Sequence, residues 1–161
     1  LPKGFDRAKY ATKPWKISLF VHDGFKVNLG RRTVEIIATP GHTPDAISLI
    51  DRENGLLFTG DTYYPATIWL YRPETDLTEY TASVKKLVAL APQVKMVLGA
   101  HNIPVADPAV LGKLQDAIQQ VLDGKVKPKS VKGDEAAYQT GDFSFRMRNP
   151  LPALNSNPGA H

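Results

Sequence analysis

Three short segments of the 161-residue chain end on side chains that could share one cation. Thr39-Pro40-Gly41-His42-Thr43-Pro44 sets a histidine in a turn stiffened by two prolines. Phe58-Thr59-Gly60-Asp61-Thr62 runs from an apolar stretch into an aspartate. Val97-Leu98-Gly99-Ala100-His101-Asn102 does the same with a second histidine. Neutral imidazole nitrogens and a carboxylate oxygen are a ligand set for Zn²⁺ or Fe²⁺. Such ligands work best when each is frozen before the ion arrives, which turns at the ends of rigid strands can achieve. Taken singly, His42 reads as an ordinary turn histidine and Asp61 as a turn cap. The three segments together point to one site. The chain has no cysteine, which excludes thiol catalysis, thiolate zinc sites and iron–sulfur clusters.

These side chains need elements to carry them. Apolar, β-branched and aromatic residues predict five strands: Lys16 to Val21, Phe25 to Leu29, Val34 to Ile37, Ala46 to Ile50 and Leu56 to Phe58. Asp23-Gly24 and Asn54-Gly55 supply the turn chemistry between them. Asp76-Leu77-Thr78-Glu79 has the spacing of a helix cap, followed by one apolar face of Leu77, Tyr80, Val84, Leu87 and Val88. A buried strand, Val94 to Leu98, comes next. Asp107-Pro108 opens a second helix with proline at its first turn, and Gly124 closes it. The face of that helix is Leu111, Leu114, Ile118, Val121 and Leu122. Lys125 to Lys132 reads as a solvated basic linker, with an acidic-partner patch as the lesser alternative. Phe143 and Phe145 mark a late strand, and Asn149 to His161 an irregular tail. This order makes a sheet with helices packed on it, an α/β (α+β) class. His42, Asp61 and His101 each fall just past the C-terminal end of an apolar strand, where a sheet can project them into one cleft.

The segments TPGHTPDAISL, LLFTGDT and VLGAHN, in that order, resemble the second half of a metallo-β-lactamase-fold metallohydrolase, over roughly Gly24 to Leu122. The resemblance implies an αββα sandwich, here mainly its C-terminal sheet-plus-helices half over residues 1–148, with the tail at 149–161. It implies one or two metal ions at the sandwich edge, zinc first, with iron or manganese as alternatives. His42 would complete the three-histidine set of the first ion, Asp61 would bridge, and His101 would ligate the second. The upstream HxHxDH motif of such enzymes is missing, and His22 is the sole histidine before His42. On this reading Leu1 lies mid-domain and the chain is the C-terminal half of a larger enzyme, inactive alone. One sheet face would then be left uncovered, favouring a homodimer or pairing with the absent N-terminal half.

The reaction implied is attack of a metal-activated hydroxide on a small-molecule carbonyl: an ester, lactone, thioester or amide-like group. An aspartate at the bridging position argues against β-lactams and the run Tyr63 to Tyr71 shows no glyoxalase II-type pattern, which leaves lactonase-like or general esterase-like chemistry as the preference. Tyr64, three residues after Asp61, stands where resembling lactonases donate to the substrate carbonyl. Tyr63 and Trp69 are substrate-wall candidates, with plain packing as the alternative. Two other readings remain: a non-haem iron oxygenase of the same fold, and a catalytically inactive fragment or interaction domain. A balance of 20 Lys+Arg against 16 Asp+Glu is too small to indicate nucleic-acid binding. No apolar run approaches the ~20 residues of a membrane span. LPKGFDRAKY carries no signal-peptide core, any targeting segment would lie upstream of Leu1, and the lack of cysteine suits a soluble protein of cytoplasm or periplasm equally, so the compartment is left open. His22 and His161 are expected at the surface.

Overall fold

The computed structural model describes residues 16–154, together with residues 4 and 6. Six strands form the first sheet: β1 (Lys26–Asn28), β2 (Thr33–Ala38), β3 (Ile47–Asp51), β4 (Leu56–Gly60), β6 (Met96–Gly99) and β7 (Val105–Ala106), side by side in that order. A second sheet is built from β5 (Thr67–Leu70), β8 (Ser130–Lys132), β9 (Glu135–Thr140) and β10 (Phe143–Arg148), arranged β5-β10-β9-β8. Helices α1 (Leu77–Leu90) and α2 (Val110–Leu122) complete an α+β fold. Strand β3 is antiparallel to both β2 and β4, and β4 is parallel to β6. Strands β2, β4 and β6 therefore point the same way, and the loops that come after them leave the sheet at one edge. Those loops carry His42, Asp61 and His101.

Alternation of side chains along the strands gives the six-stranded sheet two different faces. On one, Ile50, Leu57 and Val97 are fully buried. They join Tyr80, Val84 and Leu87 of α1, Leu111, Leu114 and Ile118 of α2, and Ile68, Phe145 and Met147 of the second sheet in a single core. Each such side chain contributes about 1.5–3 kcal/mol of transfer free energy, so this layer holds the helices to the sheet. On the other face Ile36, Leu49, Phe58, Leu98 and Val105 are successive partners across five strands. Phe58, Met96 and Val105 on that side are 37%, 39% and 48% exposed.

Helix α1 starts where its cap requires: the Asp76 carboxylate accepts from the backbone N–H of Thr78 and Glu79 at 2.7 and 3.0 Å. Helix α2 begins at Val110, later than Asp107-Pro108 predicted. Asp107 does accept from Ala109 N–H at 2.8 Å, and its carbonyl accepts from Val110, so these residues form a lead-in turn instead of the first helical turn. Gly124, at φ 70°, ends α2 in the left-handed region as expected.

The predicted strand Lys16 to Val21 is absent; those residues are exposed and irregular. A strand needs a ladder partner, and the edge of β2 is taken by β1. Asp23-Gly24 is consequently not a hairpin turn. Gly24 N–H bonds the Ile36 carbonyl, and the Asp23 carboxylate accepts from Ala38 N–H at 2.7 Å. Three residues of the expected basic linker form the edge strand β8, a place where lysines are common. Sequence patterning missed β5, β7, β8 and β9. β9 reads Glu-Ala-Ala-Tyr-Gln-Thr, and tertiary pairing rather than β-propensity makes it a strand. Within the predicted tail, 149–154 are irregular, while 155–161 with His161 lie outside the described residues. His22 is exposed. Among the described residues, no helix is long and apolar enough to cross a membrane.

Candidate functional site

The His42 loop is fastened to the start of α1. Gly41 adopts φ 127°, and a Cβ placed there would lie 2.2 Å from Tyr80 N and 2.6 Å from Tyr80 Cβ. Glycine is required because the helix backbone fills the space a side chain would need. The Gly41 carbonyl accepts from Asp76 N–H at 2.9 Å, the His42 carbonyl from the Thr75 hydroxyl at 3.1 Å, and the Pro40 carbonyl from the Ser83 hydroxyl at 2.7 Å. Three successive carbonyls are thus satisfied by one helix and its cap, which fixes the imidazole above them.

Asp61 comes after a register shift between Phe58 and Gly60, with Gly60 at φ 53°. Such a bulge re-aims the next side chain. The turn beneath it is held by the buried Thr59 hydroxyl, which donates to the Tyr63 carbonyl at 2.9 Å, and by the Tyr80 hydroxyl, which donates to the Thr62 carbonyl at 2.7 Å. His101 succeeds β6 directly beside this turn, because Gly60 and Gly99 are register partners. Its ring packs edge-on against Tyr64 at 4.8 Å between centroids.

The three predicted side chains converge. His101 Nε2 lies 2.9 Å from Asp61 Oδ1, and His42 Nε2 lies 3.9 Å from Asp61 Oδ2. Asp61 Oδ1 is thus met by the His101 ring, while His42 Nδ1 and the Thr62 hydroxyl are buried without a hydrogen-bond partner. Orphaned buried acceptors are rare in folded proteins and mark places where a ligand belongs. Two imidazoles and a carboxylate fit a divalent metal in donor chemistry, but three donors are one short of a tetrahedral cage. Among the described residues, no group of three or more such side chains stands ready to hold an ion by itself.

The remaining candidates divide. Trp69, 41% exposed, lines the cleft of about 330 Å³ that contains His42, Asp61 and His101. Tyr63 does not: it is 3% exposed and belongs to the core. Tyr64 borders the cleft, but its hydroxyl donates to the Thr67 carbonyl at 3.0 Å and accepts from Trp69 N–H at 3.3 Å. The phenolic proton expected for a substrate carbonyl is thus committed to β5, and burial pushes the Tyr64 pKa up, with the Asp61 charge adding to it. Sequence reading missed Arg72 and Glu74, which also line the cleft. The one signal for them was Tyr71-Arg72-Pro73-Glu74, charged residues closing an aromatic run. A larger cavity, about 510 Å³, is lined by Pro40, Gly41, Pro44 and Arg148 among others and contains no imidazole.

Comparison with known proteins bears on the family and the fold. The chain is 29% identical over 100 residues to the acyl-coenzyme A thioesterase MBLAC2 of Gallus gallus, covering 61% of this chain and 36% of that one. It is 30% identical over 108 residues to the β-lactamase-like protein 2 homolog of Caenorhabditis elegans, covering 67% of this chain and 33% of that one. It thus spans about a third of the length of these relatives. A metallo-β-lactamase family protein from Thermus thermophilus superposes with a TM-score of 0.59 at 20% identity, over 69% of this chain and 38% of that one. The sequence pattern of the metallo-β-lactamase superfamily matches residues 2–101, a stretch that takes in all three loops and ends on His101. The chain belongs to the metallo-β-lactamase superfamily.

Proposed function

We propose that this chain contributes the His42–Asp61–His101 half of a metal-dependent hydrolase acting on a carbonyl ester, thioester or lactone. The observation that carries the reading is the convergence of two imidazoles on one carboxylate, His101 Nε2 at 2.9 Å and His42 Nε2 at 3.9 Å from Asp61, in one cleft. His42, Asp61 and His101 would hold the ion, a donor set that suits Zn²⁺ and Fe²⁺ alike. A bound divalent zinc lowers the pKa of coordinated water towards ~7 and polarises a carbonyl.

The chain's own residues prepare that chemistry. Asp61 supplies the negative charge that offsets a cation's desolvation in a half-enclosed site. Tyr64 positions His101 by ring contact and ties it to β5 through Thr67. Trp69 gives the cleft an apolar wall that shields a scissile bond from bulk water. A thioester fits alongside esters and lactones, since the MBLAC2 relative is named as a thioesterase. The remaining donors, and a cover for the outer face bearing Phe58, Met96 and Val105, would come from another polypeptide segment or a second copy.

Calorimetric titration of Zn²⁺ into the longest available form of the protein tests the reading. Uptake abolished by Asp61→Ala and by His42→Ala supports it. Equal uptake by wild type and both variants overturns it. Assays with an activated thioester, an ester and a lactone on the longest available form of the protein then rank the substrates.

A further inference from the structure

We infer that Arg146 is a positioning residue of the cleft, holding the Trp69 indole as the wall against which the apolar part of a substrate packs. The inference rests on reading the cleft as a hydrolytic site and adds a residue that does not itself line it. Trp69 borders two adjoining hollows: the cleft of about 330 Å³ with His42, Asp61 and His101, and a groove of about 380 Å³ with Ala66, Thr67 and Asn102. The direction of one indole therefore divides the space beside His101. That side chain is 41% exposed on β5, an edge strand of four residues whose sole ladder partner among the described residues is β10. A half-exposed aromatic has several rotamers open to it unless a neighbour selects one.

Arg146 is that neighbour. In the parallel pairing of β5 with β10 it is the register partner of Trp69, so both side chains leave the sheet on one face. Its guanidinium carbon lies 5.9 Å from the centre of the Trp69 ring and 4.9 Å from that of Tyr71, and the two rings are 5.9 Å apart at 55°. A flat cation against two aromatic rings is attracted by both, and it fills the space over β10 into which the indole would otherwise turn. The cation is itself anchored by Glu135 of β9, its ion-pair partner. On the same pair of strands the Ser144 and Thr67 hydroxyls meet at 2.8 Å, a tie that does not involve the indole. Glu135, Arg146 and Trp69 thus form a chain of contacts from β9 to the cleft. An indole ordered beforehand need not be ordered when substrate binds. Strands β9 and β10 lie beyond the residues 2–101 that match the superfamily pattern, so this support comes from the chain's C-terminal sheet.

The test reads Trp69 directly. Of two tryptophans, Trp15→Phe removes the other and serves as the parent for every variant. Arg146→Gln should raise acrylamide quenching of Trp69 about twofold and roughly halve its near-ultraviolet circular dichroism, with Arg146→Lys in between. Glu135→Gln, which keeps Arg146 and removes its anchor, should shift both signals the same way by a smaller factor. Ser144→Ala is the control for simple loosening of β5 from β10, and it should leave both signals at parent values. In the longest available form of the protein, Arg146→Gln should raise KM for 4-nitrophenyl phenylacetate about fivefold, with kcat within about twofold. Parent quenching and dichroism in Arg146→Gln overturn the inference, as does an equal shift in Ser144→Ala or a loss confined to kcat. Should Arg146→Gln not fold, parent values in Glu135→Gln overturn it alone. Zn²⁺ uptake is measured on the same proteins. Uptake without an Arg146-dependent Trp69 signal defeats this inference alone, whereas an Arg146-dependent signal without uptake defeats the metal reading alone.

Discussion

The Tyr80 hydroxyl donates a 2.7 Å hydrogen bond to the carbonyl of Thr62, while the same residue's backbone presses against Gly41. One fully buried side chain of α1 therefore sets the heights of two loops, the one bearing His42 and the one bearing Asp61. Burial holds its phenol protonated far above neutral pH, so it acts as a permanent donor. Tyr80→Phe should lower stability by about 1–3 kcal/mol, because the Thr62 carbonyl loses a buried partner. Chemical denaturation measures that loss. Zinc affinity should fall as well, and unchanged affinity would show that the Asp61 turn holds itself.

Gly41→Ala should be far worse than a helical substitution of the same kind. The new methyl would overlap the Tyr80 backbone and force an unfavourable φ, for a loss on the order of 3 kcal/mol or more. Gly112→Ala in α2 meets nothing within 4 Å and should raise stability by up to ~1 kcal/mol. Melting temperatures that move oppositely confirm the contrast.

Asp61→Asn keeps shape and removes charge. If the carboxylate holds a cation, zinc affinity should fall more than about tenfold while the melting temperature of the metal-free chain stays within a few degrees. A matched His101→Ala variant should lose a comparable factor by calorimetry. The two effects should not add fully, because the groups touch at 2.9 Å.

The outer face of the first sheet gives a solution prediction. Phe58 and Met96 are exposed on it, and Phe58 is flanked by Leu49 and Leu98 in register. The chain alone should self-associate at micromolar concentration, and Phe58→Lys with Met96→Lys should return it to monomer in sedimentation velocity. A wild-type monomer at high concentration would show that this face tolerates water.

Acid sensitivity should centre on Asp51. Its buried carboxylate accepts from the Asn54 side chain at 2.8 Å and the Asn54 N–H at 3.0 Å, with Arg32 at 3.6 Å, and these hold its pKa below the ordinary carboxylate value. A depressed native pKa stabilises the fold above the unfolded value of ~3.9 and loses that contribution as pH falls through the native one. Stability should therefore drop steeply below about pH 4, and Asp51→Asn should flatten that slope.

By itself the sequence determined the ligand candidates and the elements whose ends carry them. The cap at Asp76, the apolar faces of α1 and α2, and the runs that became β2, β3, β4 and β6 were legible because each rests on local patterning: capping chemistry, helical spacing and alternation. Only the tertiary structure decided the features that depend on partners distant in the chain. Lys16 to Val21 has strand composition but no ladder to join, while Glu135–Thr140 has poor composition and two ladders, β8 and β10. Tyr63, Tyr64 and Trp69 look alike in sequence. One is buried in the core, one spends its hydroxyl on β5, and one walls the cleft: Tyr63 and Tyr64 lie in the turn before β5, and Trp69 sits on the exposed side of that strand. Arg72 gained its place in the cleft from a hydrogen bond between Thr75 and the His42 carbonyl, residues 33 positions apart. Side-chain chemistry is local, but the direction in which a side chain points is set by contacts that no local pattern encodes.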